Sequence, residues 1–408
     1  MLRINEDRFR THFDALTRIG ATDAGGLSRP TFSPSHLGAR RCFRDLIEAA
    51  GLVCRIDGAG NHSAVLTCNN AEAPTLLLGS HLDSVPDGGR FDGTLGVAAA
   101  LEVLLTIKDA AILLPIHLEV IDFTDEEGTY IGLLGSRALA GALQPQDLEH
   151  PQGKKDAFEA GLRRAGLTKA GILSAARQPE TLAGYLELHI EQGRHLEASR
   201  IDIGVVTSIV GIAWYHVAFV GRADHAGTTP MEHRLDAAQG ASAFTLAAHR
   251  VVTEHFPICV ANIGEMTFVP GAFNIVPETV TAHLEIRAPE SSEGERLEAA
   301  IHREAEKAAA SFGLKVNLQR LEAIAPAPMD DRVQRALRDS AERLGLSHRS
   351  FPSGAGHDAQ SLARVCPAGM LFVPSVGGFS HSSREYTKWE DCVHGANTLL
   401  HAALTLAT

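Results

Sequence analysis

Leu76-Leu-Leu-Gly-Ser-His81-Leu-Asp83-Ser-Val-Pro-Asp-Gly-Gly-Arg-Phe-Asp92-Gly-Thr-Leu-Gly96 is the stretch from which the chain is best read. An apolar run, Leu76 to Leu78, ends at Gly79, and Ser80, His81 and Asp83 follow almost at once. A Pro/Gly-rich loop then delivers Asp92 between Phe91 and Gly93. Apolar strand first, His and Asp at its exit, is how open α/β sheets present a site at the carboxyl ends of their strands.

Working outward, a chain of 408 residues is expected to hold two domains. With 45% apolar and 21% charged residues it is globular. The formal charge of -12 excludes a phosphate-neutralising nucleic-acid binder, which needs a Lys/Arg surplus. The cysteines, Cys42, Cys54, Cys68, Cys259, Cys366 and Cys392, form no Cys-x-x-Cys and read as reduced thiols of a cytoplasmic protein. Met1-Leu-Arg-Ile-Asn-Glu-Asp has no apolar signal core. The most apolar region, Val97 to Phe123, is broken by Glu102, Lys108, Asp109 and Pro115, so no membrane span is expected.

The periodicity predicts a helix over Leu37–Ala50, stopped by Gly51, then strands at Leu52–Ile56, Ala64–Cys68 and Thr75–Leu78. An apolar helix covers Gly96–Ile107, and a buried strand Ile116–Phe123 exits into Thr124-Asp125-Glu126-Glu127-Gly128. Helices are expected at Lys154–Ala165 and Lys169–Ala176, and strands at Gly184–Ile190, which carries His189, and at Ile203–Val210. From Gly211 the character changes. Ile212–Val220 alternates in part, and the loop Ala223–Pro230 leads to a helix over Asp236–Val252. Strands Val260–Phe268 and Ala272–Ile286, a helix at Glu293–Ala310 and a strand at Lys315–Leu321 complete a βαββαβ order. Ala323–Pro328 reads as a linker. Beyond it come helices Arg332–Leu344 and Asp358–Arg364, strand Gly369–Val373 and helix Trp389–Leu406. The expectation is an α/β protein with one large domain, 1–211 and 327–408, interrupted by a smaller α+β sandwich, 212–326.

Taken singly, each polar candidate has an ordinary explanation. His81 with Asp83 could be a satisfied pair, Asp92 a turn residue, Glu126-Glu127 a solvated loop, His189 a core histidine and His381 a loop residue. Together they favour metal. His81, Asp92, Glu127, His189 and His381 all fall at strand exits or in Gly-rich loops, and are the ligand types of zinc and related divalent ions. Two ions ~3.5–4 Å apart suit one shared carboxylate with about two further ligands each. The spare Glu126 stands where a general base is wanted, and Asp83 can orient the His81 imidazole.

His81-Leu-Asp-Ser-Val with Phe91-Asp-Gly, Asp125-Glu-Glu-Gly, Glu187-Leu-His-Ile-Glu-Gln-Gly, Ala223-Asp-His-Ala-Gly-Thr-Thr-Pro-Met, Asn274-Ile-Val-Pro, Gly354-Ala-Gly-His-Asp-Ala and Gly378-Phe-Ser-His-Ser form an ordered series over nearly the whole chain. The series resembles the hydantoinase/carbamoylase branch of the M20 metallopeptidase superfamily. That branch includes N-carbamoyl-L-amino-acid hydrolases, allantoate amidohydrolases and β-ureidopropionases.

The resemblance implies a large di-metal hydrolase domain, with a mixed central sheet flanked by helices, and an inserted lid and dimerisation domain. It implies two divalent ions per subunit (Zn, Mn, Co or Ni), with His81 and His189 as end ligands, Asp92 as the bridge, and Glu127 and His381 completing the pair. Glu126 would be the base for a bridging hydroxide that attacks a ureido carbonyl. His225 would polarise that carbonyl from the partner subunit of a homodimer. Gln192, Asn274 and Arg287 would line the substrate pocket, Arg287 as anchor for a carboxylate, with the Gly356 loop beside them and His357 in support. His216 reads as a structural strand residue. Where the family often shows Ser-Arg-Phe, this chain has Thr129-Tyr130-Ile131, which puts the specificity of that loop apart. Competing readings are an M20 N-acyl-amino-acid deacylase or dipeptidase, or a metal-binding relative without catalysis.

Overall fold

The computed structural model describes residues 1–153 and 155–408, so Lys154 of the helix expected from 154 lies outside the described residues. The chain divides into two compact units. One comprises Met1–Thr207, Pro328–Phe351 and Gly356–Thr408; the other comprises Ser208–Ala327 and Pro352–Ala355.

The chain starts with helix α1 (Glu6–Thr17), which the sequence reading left unassigned. Asn5 caps it by accepting from Arg8 N, and Phe9, Phe13 and Leu16 form its buried stripe. Helix α2 (Pro34–Ala49) begins with Pro at its first turn behind the cap Ser33. Strands β1 (Cys54–Ile56), β2 (His62–Leu66) and β3 (Thr75–His81) follow, then α3 (Thr94–Asp109), β4 (His117–Phe123) and α4 (Leu134–Leu139). Next come α5 (Lys155–Ala165), α6 (Lys169–Leu173), β5 (Leu182–Ile190), α7 (His195–Ser199) and β6 (Ile203–Ile209). Helix α3 is apolar over most of its surface, its buried Glu102 pairing with Arg8, and all but its last two residues are buried.

The second unit contains β7 (Gly211–Val220), β8 (Asp224–His225), α8 (Ala237–His255), β9 (Val260–Val269), β10 (Ile275–Val276), β11 (Thr279–Ala288), α9 (Ser291–Ser311) and β12 (Lys315–Ile324). The long strands pair antiparallel in the order β12-β7-β11-β9. β7 alternates buried and less buried positions along its length, so Val217 and Phe219 join a core with Phe244, Leu284, Leu297 and Ile301. Two sequence expectations fail here. Ala272–Ile286 is not one strand, because Pro277 interrupts it and β10 pairs with β8 instead. Ala323–Pro328 is not a free linker, because β12 stays paired with β7 as far as Ile324 and Ala327–Pro328 (β13) is itself a strand.

The chain ends with α10 (Asp331–Arg343), β14 (His348–Ser353), α11 (Asp358–Leu362), β15 (Ala368–Val373) and α12 (Trp389–Leu406). The large sheet has nine strands, in the order β1-β2-β4-β3-β5-β15-β6-β13, with β14 also on β6. Its centre, β4-β3-β5-β15, is parallel. Register sets the carboxyl ends side by side: His81 pairs with Phe123, and His189 with Phe372. This alignment is what positions the site.

Candidate metal centre

His81 closes β3 and is buried. Its Nδ1 lies 3.0 Å from the main-chain oxygen of Asp83, so the imidazole donates there and turns Nε2 toward Asp92 Oδ1 at 3.4 Å. His189, near the end of β5, repeats the scheme: Nδ1 is 2.9 Å from Ile190 O, and Nε2 is 3.1 Å from the same Asp92 oxygen. The other Asp92 oxygen, Oδ2, is 3.6 Å from His381 Nε2, which is 3.3 Å from Glu127 Oε2. Asp92 therefore joins two clusters, His81–Asp92–His189 and Asp92–Glu127–His381, each with its ligand atoms within 4.8 Å of one another. Gly93 must be glycine. Its φ is +61°, and a Cβ would lie 2.4 Å from the His81 ring.

The donor set fits a divalent pair. Nε2 of His81, Nε2 of His189 and Glu127 Oε1 are buried without a well-formed hydrogen bond, although each belongs to a side chain facing the same small space. Burial, together with the neighbouring Asp92, pushes the Glu127 carboxyl well above its usual range. Burial, with Glu127, Asp358 and Asp92, does the same to Glu126. Burial opposes charge on His81, but Glu126, Asp92 and Asp83 outweigh it and hold the imidazole well above its ordinary value. Carboxyls crowded this way lack counter-charge, which a bound cation would supply. His81, Asp92 and His189 would hold one ion; Asp92, Glu127 and His381 would hold the other.

Glu126 Oε2 stands 3.5 Å from His81 Nε2, beside these ligands. The Asp83 carboxylate does not orient His81, which it approaches only to 3.8 Å. It accepts instead from the main-chain N–H of Glu126 (3.3 Å) and Glu127 (3.2 Å) and from Thr31 Oγ1 (3.0 Å). Gln192, expected at the substrate, donates from Nε2 to Asp92 Oδ2 at 2.8 Å. Asp125, Gln192 and His381 all have φ near +50 to +60°, a conformation that non-glycine residues keep only when their surroundings enforce it. His357 is buried with its ring 4.6 Å from that of His189, and so supports that ligand. At Gly356 an added Cβ would meet only Gln360 Oε1, at 3.6 Å.

Three further expected residues belong to the second unit. His225 is exposed on β8, and its Nδ1 accepts from Gly227 N (3.1 Å) and Thr228 N (3.2 Å). That leaves the proton on Nε2, as an outward donor. Asn274 O accepts from Ala226 N at 3.0 Å, so the β8–β10 pair keeps His225 and Asn274 together. Arg287 donates from Nε to Glu285 (2.7 Å) and from Nη1 to Gly354 O (2.8 Å), while Glu285 also accepts from Trp214 Nε1 at 2.9 Å.

The departing loop is accounted for by packing. Asp125 Oδ2 accepts from Tyr130 N (3.0 Å) and Ile131 N (2.7 Å). Ile131 joins a satellite core with Phe32 and Phe158, and Tyr130 packs against it. Sequence reading missed Ser380 and Glu385. Ser380 Oγ is 2.9 Å from Asp92 Oδ2, and Glu385 Oε1 accepts from Phe91 N and Asp92 N.

Residues 77–405 match the model of peptidase family M20/M25/M40, and the chain belongs to that family. It is 37% identical to an N-carbamoyl-L-amino acid amidohydrolase of Geobacillus stearothermophilus, over 99% of both chains. It is 31% identical to an allantoate amidohydrolase of Bacillus subtilis, over 97% of this chain and 96% of that one. A crystal structure of an amidase of the hydantoinase/carbamoylase family from Burkholderia multivorans superposes with a TM-score of 0.91 at 35% identity, covering 100% of this chain and 98% of that one. The chain is an amidohydrolase of this M20 kind.

Proposed function

We propose that this protein hydrolyses the ureido C–N bond of an N-carbamoyl-L-amino acid or a related ureide such as allantoate, with Glu126 as general base. The observation that carries the reading is Asp92 turning one oxygen to His81 and His189 and the other to Glu127 and His381, with Glu126 alongside. Two divalent ions held there would acidify a water and polarise the scissile carbonyl. Glu126 takes the proton of that water and returns it to the leaving nitrogen. An N-carbamoyl substrate and water then give an amino acid, ammonia and carbon dioxide.

His225, with its proton on Nε2, donates to the carbonyl oxygen as negative charge develops there. Arg287 still has Nη2 to offer a substrate carboxylate, and Asn274 lies beside His225. We take the enzyme to be a homodimer in which His225 acts on the partner's substrate, and a cytoplasmic one, which its unpaired cysteines suit. Mixing His225→Ala with Glu126→Gln subunits would then restore activity in the mixed dimers; no recovery argues for action within one chain. The ligands suit Zn, Mn, Co or Ni alike.

The deciding experiment is ammonia release over N-carbamoyl amino acids and allantoate, with amine release from N-acyl amino acids and dipeptides in parallel, each with added metals. Turnover confined to acyl or peptide bonds would replace the ureide reading with the deacylase or dipeptidase one.

A further inference from the structure

We propose that Glu385 is a positioning residue for the metal pair: it clamps the bridging Asp92 to the loop that carries His381, and so fixes the geometry of the Asp92–Glu127–His381 cluster. This inference rests on the di-metal reading above.

Glu385 follows His381 by four residues and is 5% exposed. Its Oε1 accepts from Phe91 N at 2.8 Å and from Asp92 N at 3.0 Å. Its Oε2 lies 3.0 Å from Ser380 Oγ, and that hydroxyl lies 2.9 Å from Asp92 Oδ2. One carboxylate thus grips the bridge by its main chain, and it meets the Asp92 side chain at the Ser380 hydroxyl, whose one proton goes to either carboxylate. Glu385 N also donates to Ser382 O at 3.0 Å, which folds the loop back beside His381. The space for the carboxylate exists because residue 89 is glycine; a Cβ there would stand 1.9 Å from Glu385 Cδ.

The clamp bears unequally on the two clusters. His81 and His189 sit at the ends of buried strands, and Asp92 is also tied into the start of α3 through Thr94 N, 2.6 Å from Asp92 O. His381 has no such frame. Its side chain is 52% exposed, its φ is +52°, and it lies outside any strand or helix. Without Glu385 the first cluster keeps its supports and the second loses one.

The test is a titration of metal-free protein with Mn²⁺ alone and with Zn²⁺ alone, reading stoichiometry and affinity by calorimetry and elemental analysis. The wild-type chain is expected to take up two ions. Glu385→Ala is expected to keep one ion near the wild-type affinity and to bind the other at least about tenfold more weakly, the usual scale for lost support of a ligand. Glu385→Gln keeps an acceptor for both N–H groups and offers Ser380 a donor, so it is expected to restore most of the loss. Ser380→Ala cuts only the side-chain link and is expected to weaken the same ion by less. Two ions at wild-type affinity in Glu385→Ala, or an equal weakening of both, overturns the proposal. Should that variant not fold, an unchanged second ion in Ser380→Ala overturns it. Failure of the wild-type chain to bind any divalent ion would instead refute the di-metal reading itself.

Discussion

Glu126 Oε2 lies 3.5 Å from His81 Nε2, the same nitrogen that faces the bridging Asp92. Its main-chain N–H is held by Asp83, so the carboxylate has a fixed origin. Glu126→Gln keeps size and shape but cannot take a proton. Turnover is expected to fall by about 10²–10⁴-fold, with both ions retained. Steady-state kinetics beside elemental analysis check this; substantial residual activity would reject the base assignment.

Asp83→Asn separates orientation from chemistry. The carboxylate serves three donors: two main-chain N–H groups and the Thr31 hydroxyl. An amide offers one acceptor oxygen and puts an NH₂ against the rest. The Glu126–Glu127 turn loosens, and kcat is expected to drop about 10–100-fold while KM moves little. A pure KM effect would show that Asp83 acts on substrate binding instead.

Chelation is expected to destabilise the protein. Glu126, Glu127 and Asp92 are packed together, and burial already pushes the two glutamates up. A cation that binds only the folded chain adds about 2.7 kcal/mol at a hundred times its Kd. Melting in a chelator should therefore begin at lower temperature, and Mn²⁺ or Zn²⁺ should restore it where Mg²⁺, which prefers all-oxygen ligands, does not.

His62, away from the site on β2, gives a pH dependence. Burial lowers its pKa to about 3, and Arg40 adds to the shift, while its Nδ1 stays 3.0 Å from Gly60 O. The unfolded chain keeps the ordinary value of about 6.5. Between these values the unfolded state holds the extra proton. His62 therefore adds stability that is complete above about pH 6.5 and is lost as pH falls toward 3. Proton uptake on unfolding near pH 5, compared between wild type and His62→Asn, measures it; an identical uptake would remove His62 from the account.

The parallel strands were legible because each is a short apolar run that stops at polar residues, and their exits carry His81, Glu126, Glu127 and His189. The βαββαβ order of the second unit was legible for a related reason, since the central strands β7 and β11 alternate with one face buried and the edge strands β9 and β12 turn partly buried side chains to the same core. What stayed hidden is non-local. Glu385 reaches Asp92 across 293 residues through main-chain N–H groups, which no spacing rule encodes. Asp83 looked like a partner of His81 because it stands two residues away, but the peptide oxygen faces the ring and the carboxylate faces the next strand exit. Helix α1 was missed although Phe9, Phe13 and Leu16 repeat at helical spacing behind a capping Asn5.

Thr129-Tyr130-Ile131 was expected to bear on specificity, and its contacts point elsewhere. Ile131 is buried, and the Tyr130 ring lies 6.0 Å from Phe32, stacked, and 5.4 Å from Phe158. Thr129 Oγ1 accepts from Thr31 N at 3.0 Å. The segment anchors the Glu126–Glu127 turn to a satellite core. Tyr130→Ala is expected to cost about 2 kcal/mol, less than the ~3–5 kcal/mol of a fully buried aromatic, because the ring is half-buried. KM for the preferred ureide should stay within about twofold, since uniform substrate binding is not lost. Denaturant unfolding and the substrate panel measure the two separately. A changed substrate ranking at unchanged stability would return this loop to the substrate pocket.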